Sequence, residues 1–300
     1  MSVGVATIGS KNVAAHIESI GRCDNLNLVG VADAGEVEIG KALLYETAEA
    51  AIADVDVGII ALCTPPLETQ HWIRAASGAG KTILAEMPIG VDSRRSRALV
   101  EQCAAVGSPL VGVTDLVYSQ PGRQFAGCLE EKIGSPLYLE CGISVSDADL
   151  ANDSTGVLSA HGFGLLALIV KLFGRVDSVY ARSRSLKKNR PSEDIAVAQL
   201  RFYEGLEGVL IVNGLGDERR TAIQLHGSRG SLSLEEERIR FPDGLEAQYG
   251  ELANNRQNTG STRFSGTDLI TTQHLLDWIQ HSARQNREVS RKEVAVAIGG

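Results

Sequence analysis

The chain has 300 residues, of which 43% are hydrophobic and 22% are charged, and its formal net charge is −8. Single cores stop growing near about 250 residues, so this length predicts two domains. The ordinary globular composition excludes a disordered chain. The acidic balance argues against a nucleic-acid partner, because such a surface needs clustered Lys and Arg opposite the phosphates.

The five cysteines are scattered and form no CxxC pair, so neither a disulfide framework nor a metal site is predicted. This usage suits a reducing compartment, and a cytoplasmic protein is expected. The first ten residues lack the basic start and long apolar run of a secretory signal. The most apolar stretch, residues 162–173, is far shorter than the roughly 20 residues that span a bilayer. It is predicted to be a buried helix, and no membrane association is expected.

In the first part of the chain, short β-branched runs alternate with helical patterns, which is typical of βαβ units and a parallel sheet. The predicted strands are Val3–Ile8, Leu26–Ala32, 57–63, Thr82–Ala85 and 110–114. The predicted helices are 12–20, 42–53, 67–79 and 93–106. These elements predict a doubly wound α/β domain over residues 1–118.

After about residue 120 the pattern changes to a series of strand segments, with Gly, Asn, Asp or Ser between most of them. The predicted strands are 137–144, 176–185, 196–202, 210–213, 221–226 and 231–234. Helices predicted over 156–172 and 267–285 would pack around the resulting sheet. Residues 119–300 are therefore predicted to form an α+β domain with a largely antiparallel sheet.

A turn with the sequence Gly9-Ser10-Lys11-Asn12 follows the first predicted strand and leads into a helix. In a dinucleotide fingerprint, glycines at this point let a diphosphate approach the N–H groups of a helix N-terminus. Only Gly9 is kept, since Thr7 and Asn12 occupy the outer two glycine positions. The alternative is an ordinary strand-to-helix turn.

Asp33 ends the second predicted strand, roughly 20 residues beyond the turn, where a carboxylate can accept hydrogen bonds from the hydroxyls of an adenine ribose. No Arg or Lys follows in residues 34–36 to hold a 2′-phosphate, so NAD is predicted in preference to NADP. The alternative is that Asp33 only caps a loop. Together, Gly9 and Asp33 favour a Rossmann-type nucleotide-binding domain.

Two gapless motif matches carry a resemblance to a known family. Residues 63–66 (CTPP) and 79–88 (AGKTILAEMP) resemble the A-T-P-x and A-G-K-x-V-x-x-E-K-P motifs of Gfo/Idh/MocA-type oxidoreductases, which are nicotinamide-dependent sugar and polyol dehydrogenases. Residues 156–174 are similar to that family's G-x-L-x-D-x-G-x-H helix, and residues 223–232 to its I-x-G-x-x-G-x-L hairpin. The resemblance covers nearly the whole chain. It implies that these residues face the nucleotide: Cys63, Thr64, Pro65, Pro66 and Glu86.

The resemblance fails where the family keeps its catalytic side chains. Its E-K-P lysine stabilises the substrate hydroxyl or carbonyl, and its D-x-x-x-H pair positions the sugar and relays a proton. Met87, Ala160 and Gly164 occupy these positions, and none of the three transfers a proton. His161 lies three residues before Gly164 and is the candidate catalytic residue. The alternative is that His161 is a satisfied polar residue at the start of a helix.

The leading hypothesis is an NAD(P)-dependent oxidoreductase with a non-standard catalytic set, acting on a small polar substrate that the resemblance implies is a sugar or polyol. A substrate that accepts hydride directly, such as an iminium ion, would also make the lysine dispensable. The alternative is a non-catalytic protein of the same descent that binds a nucleotide or sugar as a regulator or partner subunit. By resemblance, the second domain would carry the substrate and oligomerisation surfaces, and a homodimer or homotetramer is expected.

Overall fold

The computed structural model of the protein describes residues 2–150, 155–187, 192–257 and 262–290. The chain divides into two compact units. The first contains Met1–Ser119 and Pro242–Ile270, and the second contains Gln120–Phe241 and Thr271–Gly300. Residues 242–270 therefore join the first unit, although the sequence analysis placed them in the second domain.

The first 119 residues alternate strands and helices. The strands are β1 (Val3–Ile8), β2 (Leu26–Ala32), β3 (Leu43–Leu44), β4 (Val57–Leu62), β5 (Thr82–Ala85) and β6 (Leu110–Gly112). The helices are α1 (Val13–Gly21), α2 (Ala48–Ala53), α3 (Pro66–Gly78), α4 (Ser93–Ala105) and α5 (Asp115–Tyr118). The strands form one parallel sheet in the order β3-β2-β1-β4-β5-β6. This is the order of a doubly wound dinucleotide-binding fold, so the predicted fold class of the first domain is confirmed.

The segment predicted as a helix over 42–53 contains a strand and a shorter helix. Leu43–Leu44 pairs in parallel with Gly30 and Val31 at the edge of the sheet. Helix α2 begins only after Thr47, whose side chain accepts a hydrogen bond from the Ala50 N–H at 3.2 Å. This N-cap satisfies a backbone donor that the helix itself leaves unpaired, and so it fixes the start of the helix.

The second unit is built around a mixed sheet. Its strands are β7 (Pro136–Ser146), β8 (Val176–Arg184), β9 (Ile195–Phe202), β10 (Glu207–Gly216), β11 (Arg220–Gly227) and β12 (Ser231–Glu236). Its helices are α6 (Gln120–Gly127), a π-helical turn (Leu129–Ile133), α7 (Asp147–Leu150), α8 (Val157–His161) and α9 (Phe163–Phe173). Only β7 and β10 pair in parallel, and the other neighbours are antiparallel, as predicted.

The helix predicted over 156–172 is interrupted at Gly162, which ends α8 and begins α9. A Cβ at Gly162 would lie 2.6 Å from the carbonyl oxygen of Leu158, in the last turn of α8, so a side chain at this position would crowd that turn. Helix α9 is apolar on most of its surface and is almost wholly buried, as the sequence predicts. Within the described ranges, no helix is long and apolar enough to cross a membrane.

The last part of the chain contributes α10 (Pro242–Gln257), α11 (Gly266–Gln285) and β13 (Val289–Ser290). Helix α10 was not predicted, because its sequence contains Pro, two Gly and two Asn residues, which are weak helix formers. It packs on the parallel sheet of the first unit, where Leu245 and Tyr249 join a buried cluster with Val5, Ile59 and Leu84. Tertiary burial thus stabilises a helix that local propensity disfavours.

Candidate functional site

The turn after β1 brings the backbone close to the end of β4. Gly9 has a φ of +96°, and a Cβ built on it would lie 2.4 Å from the carbonyl oxygen of Cys63. Only glycine fits at this φ and this close to a backbone oxygen. The Gly9 N–H donates to the carbonyl of Ala32 at 2.9 Å, and the Lys11 N–H donates to that of Cys63 at 2.8 Å. These bonds anchor the turn to the ends of both neighbouring strands.

Helix α1 begins at Asn12, which has a left-handed backbone conformation with φ 56° and ψ 16°. Asn tolerates this conformation better than most residues with a side chain, so it replaces a fingerprint glycine at small cost. Across the described residues, the N–H groups of Ser10, Asn12 and Val13 donate no hydrogen bond. Such free donors at the positive end of a helix favour an anion. The turn therefore keeps the backbone donors that a diphosphate requires.

Asp33 follows directly after β2 and is exposed. Its backbone is left-handed, with φ 52°, and it forms no ion pair with the residues that the structure describes. Gly35 lies beside the turn after β1, since a Cβ built on it would be 3.9 Å from the Cβ of Ser10. Asp33 is therefore two residues from a position that contacts the turn, and its side chain is open to solvent.

The loop after β4 is held by side-chain hydrogen bonds. The hydroxyl of Thr69 donates to the carbonyl oxygens of Thr64 and Pro65, at 3.0 and 2.9 Å, and lies 2.8 Å from the Thr64 hydroxyl. Pro66 occupies the first position of α3, where the missing N–H of proline costs nothing. Cys63 is fully buried and Pro65 is exposed. Thr69 therefore stabilises this loop from within helix α3.

Glu86, which the resemblance assigns to the nucleotide, is only 3% exposed and has both carboxylate oxygens engaged within the first unit. Its Oε2 accepts a hydrogen bond from Asn12 Nδ2 at 3.0 Å, and its Oε1 lies 3.1 Å from His16 Nε2. The other ring nitrogen of His16, Nδ1, lies 2.7 Å from the Tyr249 hydroxyl. Glu86 is thus joined to the start of α1, to the middle of α1 and to α10.

The charge state of His16 follows from these neighbours. Burial by itself lowers the pKa of this fully buried imidazole, but Cys63, Tyr249 and the hydrogen bond to Glu86 outweigh burial and hold the pKa well above its usual value. Burial raises the pKa of the Tyr249 hydroxyl to about 12. The raised pKa favours the imidazolium form of His16, whose Nε2 lies within salt-bridge distance of Glu86 Oε1.

Sequence reasoning missed both partners of Glu86. The sequence did not indicate a role for His16, which lies in the middle of α1 and is fully buried. A signal was present, because Asn12 and His16 are four residues apart and four-residue spacing places two side chains on one helix face. Nothing in the sequence indicated Tyr249, which lies 233 residues from His16.

Met87 packs as an apolar side chain in the first unit. It is 6% exposed, and its Sδ lies over Gly112 of β6, so close that a Cβ there would be 2.4 Å from the sulfur. A Cβ at Gly112 would also lie 3.3 Å from Leu269. Where the family has its lysine, this chain thus has Met87, an apolar side chain packed against β6.

In the second unit, three positions of the predicted catalytic helix share partial exposure: Ala160, His161 and Gly164. Their neighbours Leu158, Ser159 and Gly162 are buried. The two family positions that lost their polar side chains thus lie on the same accessible strip as His161. Among the described residues, no group of three or more His, Cys, Asp or Glu side chains could hold a metal ion.

The strand order defines a doubly wound, Rossmann-type α/β unit, which is joined to a unit with a mixed sheet. Residues 131–233 match the family model described as GFO/IDH/MocA C-terminal domain. This part of the chain is therefore similar to the C-terminal domain of the Gfo/Idh/MocA oxidoreductases.

Three known proteins illustrate the relationship. D-apiose dehydrogenase of Paraburkholderia graminis is 22% identical, with 93% of this chain and 87% of the relative covered. Inositol 2-dehydrogenase of Pseudomonas savastanoi pv. phaseolicola is 33% identical over 108 residues, which is 35% of this chain and 32% of the relative. The crystal structure of the WlbA dehydrogenase from Bordetella pertussis, in complex with NADH and UDP-GlcNAcA, superposes with a TM-score of 0.87. It is 18% identical, with 96% of this chain and 97% of that chain covered, and at this identity it shows the fold alone.

Proposed function

We propose that this protein is a nicotinamide-dependent oxidoreductase that binds NAD(H) on its first unit. The observation that carries the proposal is the pairing of a Gly9 turn, which has unused N–H donors, with an open carboxylate at Asp33. Ser10, Asn12 and Val13 would donate to the diphosphate, and Asp33 would accept hydrogen bonds from the adenine ribose. Cys63, Thr64, Pro65 and Pro66 would border the same ligand.

NAD is favoured over NADP because the ribose-facing group is anionic. A 2′-phosphate beside Asp33 would meet a like charge, and no Arg or Lys lies in residues 34–36 to offset it. Two relatives are named D-apiose dehydrogenase and inositol 2-dehydrogenase, and these names support a small polyhydroxylated substrate. The nicotinamide, when bound, would supply the hydride acceptor or donor.

His161 is the residue proposed to move the substrate proton. It is partly exposed at the end of α8, between the two positions that lost their polar side chains, and its Nε2 atom is buried. An imidazole exchanges protons near neutral pH, which suits either direction of a dehydrogenase reaction. Met87 cannot replace a lysine as a donor to the substrate oxygen, so the developing charge on that oxygen would have to be offset elsewhere.

A second candidate function is a non-catalytic nucleotide- or sugar-binding protein. Its support is the loss of three chemical groups at Met87, Ala160 and Gly164. Titration of the purified protein with NADH, followed through cofactor fluorescence, tests cofactor binding. A panel of polyols and sugars with NAD⁺, and of ketones and imines with NADH, then tests turnover. Absence of NADH binding contradicts both the enzyme and the nucleotide-binding alternative, whereas binding without turnover favours the non-catalytic protein.

The outer face of the second sheet is proposed to join two copies of the chain. A cavity of about 430 Å³ lies on this face of β7, β10, β11 and β12. Tyr138 and Ile211 are exposed there, and the Tyr138 ring stacks on His226 at a centroid distance of 6.3 Å. Light scattering of wild type and of Ile211→Asp tests the association. A monomeric wild type contradicts it.

The five free cysteines suit the reducing cytoplasm, which is the proposed location.

A further inference from the structure

Both carboxylate oxygens of Glu86 contact side chains of the first unit. One of its oxygens is taken by Asn12 and the other by His16, and the side chain is almost completely buried. Asn12 is the residue that starts α1, and its side chain is turned away from the helix N-terminus toward Glu86. The Glu86 carboxylate thus holds the turn after β1 through the Asn12 side chain. The backbone N–H groups of Ser10, Asn12 and Val13 remain available.

A protonated His16 balances the negative charge of this carboxylate. Its Nε2 lies 3.1 Å from Glu86 Oε1, and a protonated ring donates from both nitrogens, to Glu86 and to the Tyr249 oxygen. Both members of the pair are buried, so water screens their charges little and each depends on the other. If His16 loses its proton, one uncompensated negative charge remains under the turn.

We propose that His16 and Glu86 are positioning residues for the cofactor, and that the His16 charge sets the affinity of the turn for the diphosphate of NAD(H). This inference rests on the proposed function, since it requires NAD(H) to bind at the Gly9 turn. A diphosphate is dianionic, so an unpaired Glu86 carboxylate nearby repels it. The ion pair of His16 and Glu86 carries no net charge and therefore does not repel the diphosphate.

Other titratable groups face the same imidazole. Cys63 approaches it from the end of β4 and Tyr249 from α10, while Glu86 approaches from the end of β5. The pKa of the Tyr249 hydroxyl is raised to about 12, so this group keeps its proton from pH 7 to pH 10, the range of the binding measurement. Lys11 belongs to the turn itself, and among the described residues its side chain forms no hydrogen bond with His16, Glu86 or Tyr249. A variant that removes His16 therefore separates its titration from the others.

The sign of the pH dependence is fixed by the raised pKa of His16. The imidazolium is present at neutral pH and is lost as the pH rises through that raised value. We expect the NADH dissociation constant of wild type to increase as the pH rises through this raised value, by about tenfold once the charge is lost, which is the effect of one charge close to a diphosphate at partial screening. This measurement requires no variant, so it does not depend on any mutant folding.

Two variants separate charge from structure. His16→Gln retains a donor to Glu86 without the charge, and it is expected to bind NADH about tenfold more weakly than wild type at pH 8. The double variant His16→Gln/Glu86→Gln removes both charges and keeps an amide oxygen for Asn12. It is expected to bind within about twofold of wild type at pH 8 and to show no pH dependence from pH 7 to 10. His281→Gln, on an exposed part of α11, is the matched control and should behave as wild type.

The outcomes distinguish this inference from the proposed function. A wild type that binds NADH with the same affinity from pH 7 to pH 10 overturns the inference alone, as does a folded double variant no tighter than His16→Gln. A wild type that binds no NADH at any pH overturns both. Recovery of affinity in the double variant supports the charge mechanism, because a merely structural role would make two substitutions in the buried cluster worse than one.

Discussion

The backbone of Gly9 approaches the carbonyl oxygen of Cys63 so closely that a Cβ would lie 2.4 Å from that oxygen. One strand-to-helix turn is therefore fixed by contact with the neighbouring strand. The missing glycines of the fingerprint are tolerated because this one supplies the close approach, while Asn12 adopts the left-handed conformation.

Gly9→Ala is expected to destabilise the first unit. The substitution adds left-handed strain of about 1–2 kcal/mol and forces the backbone apart at Cys63, so we expect a total loss of about 3 kcal/mol in urea unfolding. Gly80→Ala is the matched control, since its φ is +67° and no atom lies within 4 Å of its Cβ position. Equal losses in the two variants would show that the contact with Cys63 has no energetic weight.

Asp33 should determine the choice of cofactor. Asp33→Ala removes the acceptor for the ribose hydroxyls, and we expect the NADH dissociation constant to rise about tenfold, equivalent to about 1.4 kcal/mol. Asp33→Arg should in addition favour NADPH over NADH, because its charge is opposite to that of a 2′-phosphate. Fluorescence titrations with both cofactors measure the change. Glu49→Ala, an exposed carboxylate on α2, is the control. Unchanged NADH affinity in Asp33→Ala would exclude a ribose contact.

His161→Ala should affect turnover and leave cofactor binding intact. Loss of a general acid or base typically lowers the rate about 10²-fold or more. We expect kcat to fall by that amount on any substrate found in the panel, with an NADH dissociation constant within about twofold of wild type. His281→Ala controls for the loss of a histidine. A His161→Ala enzyme with wild-type kcat would remove His161 from the mechanism.

Acid should release the contact between Asp149 and Arg219. Arg219 donates to both oxygens of the Asp149 carboxylate, at 2.8 and 2.6 Å, and these bonds, together with those from Ser146, outweigh desolvation and lower the pKa of Asp149 to about 2. A lowered pKa in the folded state adds stability above the unfolded value of 3.8, and this stability disappears as the pH falls toward 2. Because Arg219 is half exposed, we expect only about 1 kcal/mol.

Urea unfolding from pH 5 to pH 2 checks this expectation. Asp149→Asn should be less stable than wild type at pH 5 and converge with it near pH 2. The control is Glu207→Gln, which breaks the exposed ion pair with Arg201 and should change the free energy of unfolding by less than about 0.5 kcal/mol. A constant gap between wild type and Asp149→Asn down to pH 2 would contradict the assignment.

Much of the fold was predictable from local pattern. The spans of β1, β2 and β5 agree residue for residue with the prediction, because each is a β-branched or apolar run bounded by turn residues. Strand β3 was hidden within a helical pattern, since its two leucines pair only with the edge residues Gly30 and Val31. The break at Gly162 was missed because apolar periodicity continues through it.

The sequence by itself determined the doubly wound first domain, the meander that follows, the turn at Gly9 and the carboxylate at Asp33. These depend on spacing along the chain, which periodicity and turn chemistry encode directly. Only the tertiary structure decided that residues 242–270 complete the first unit and that Glu86 contacts His16 and Asn12. Such contacts join residues 70 or more positions apart, and their energies arise from burial and charge pairing that local sequence does not contain.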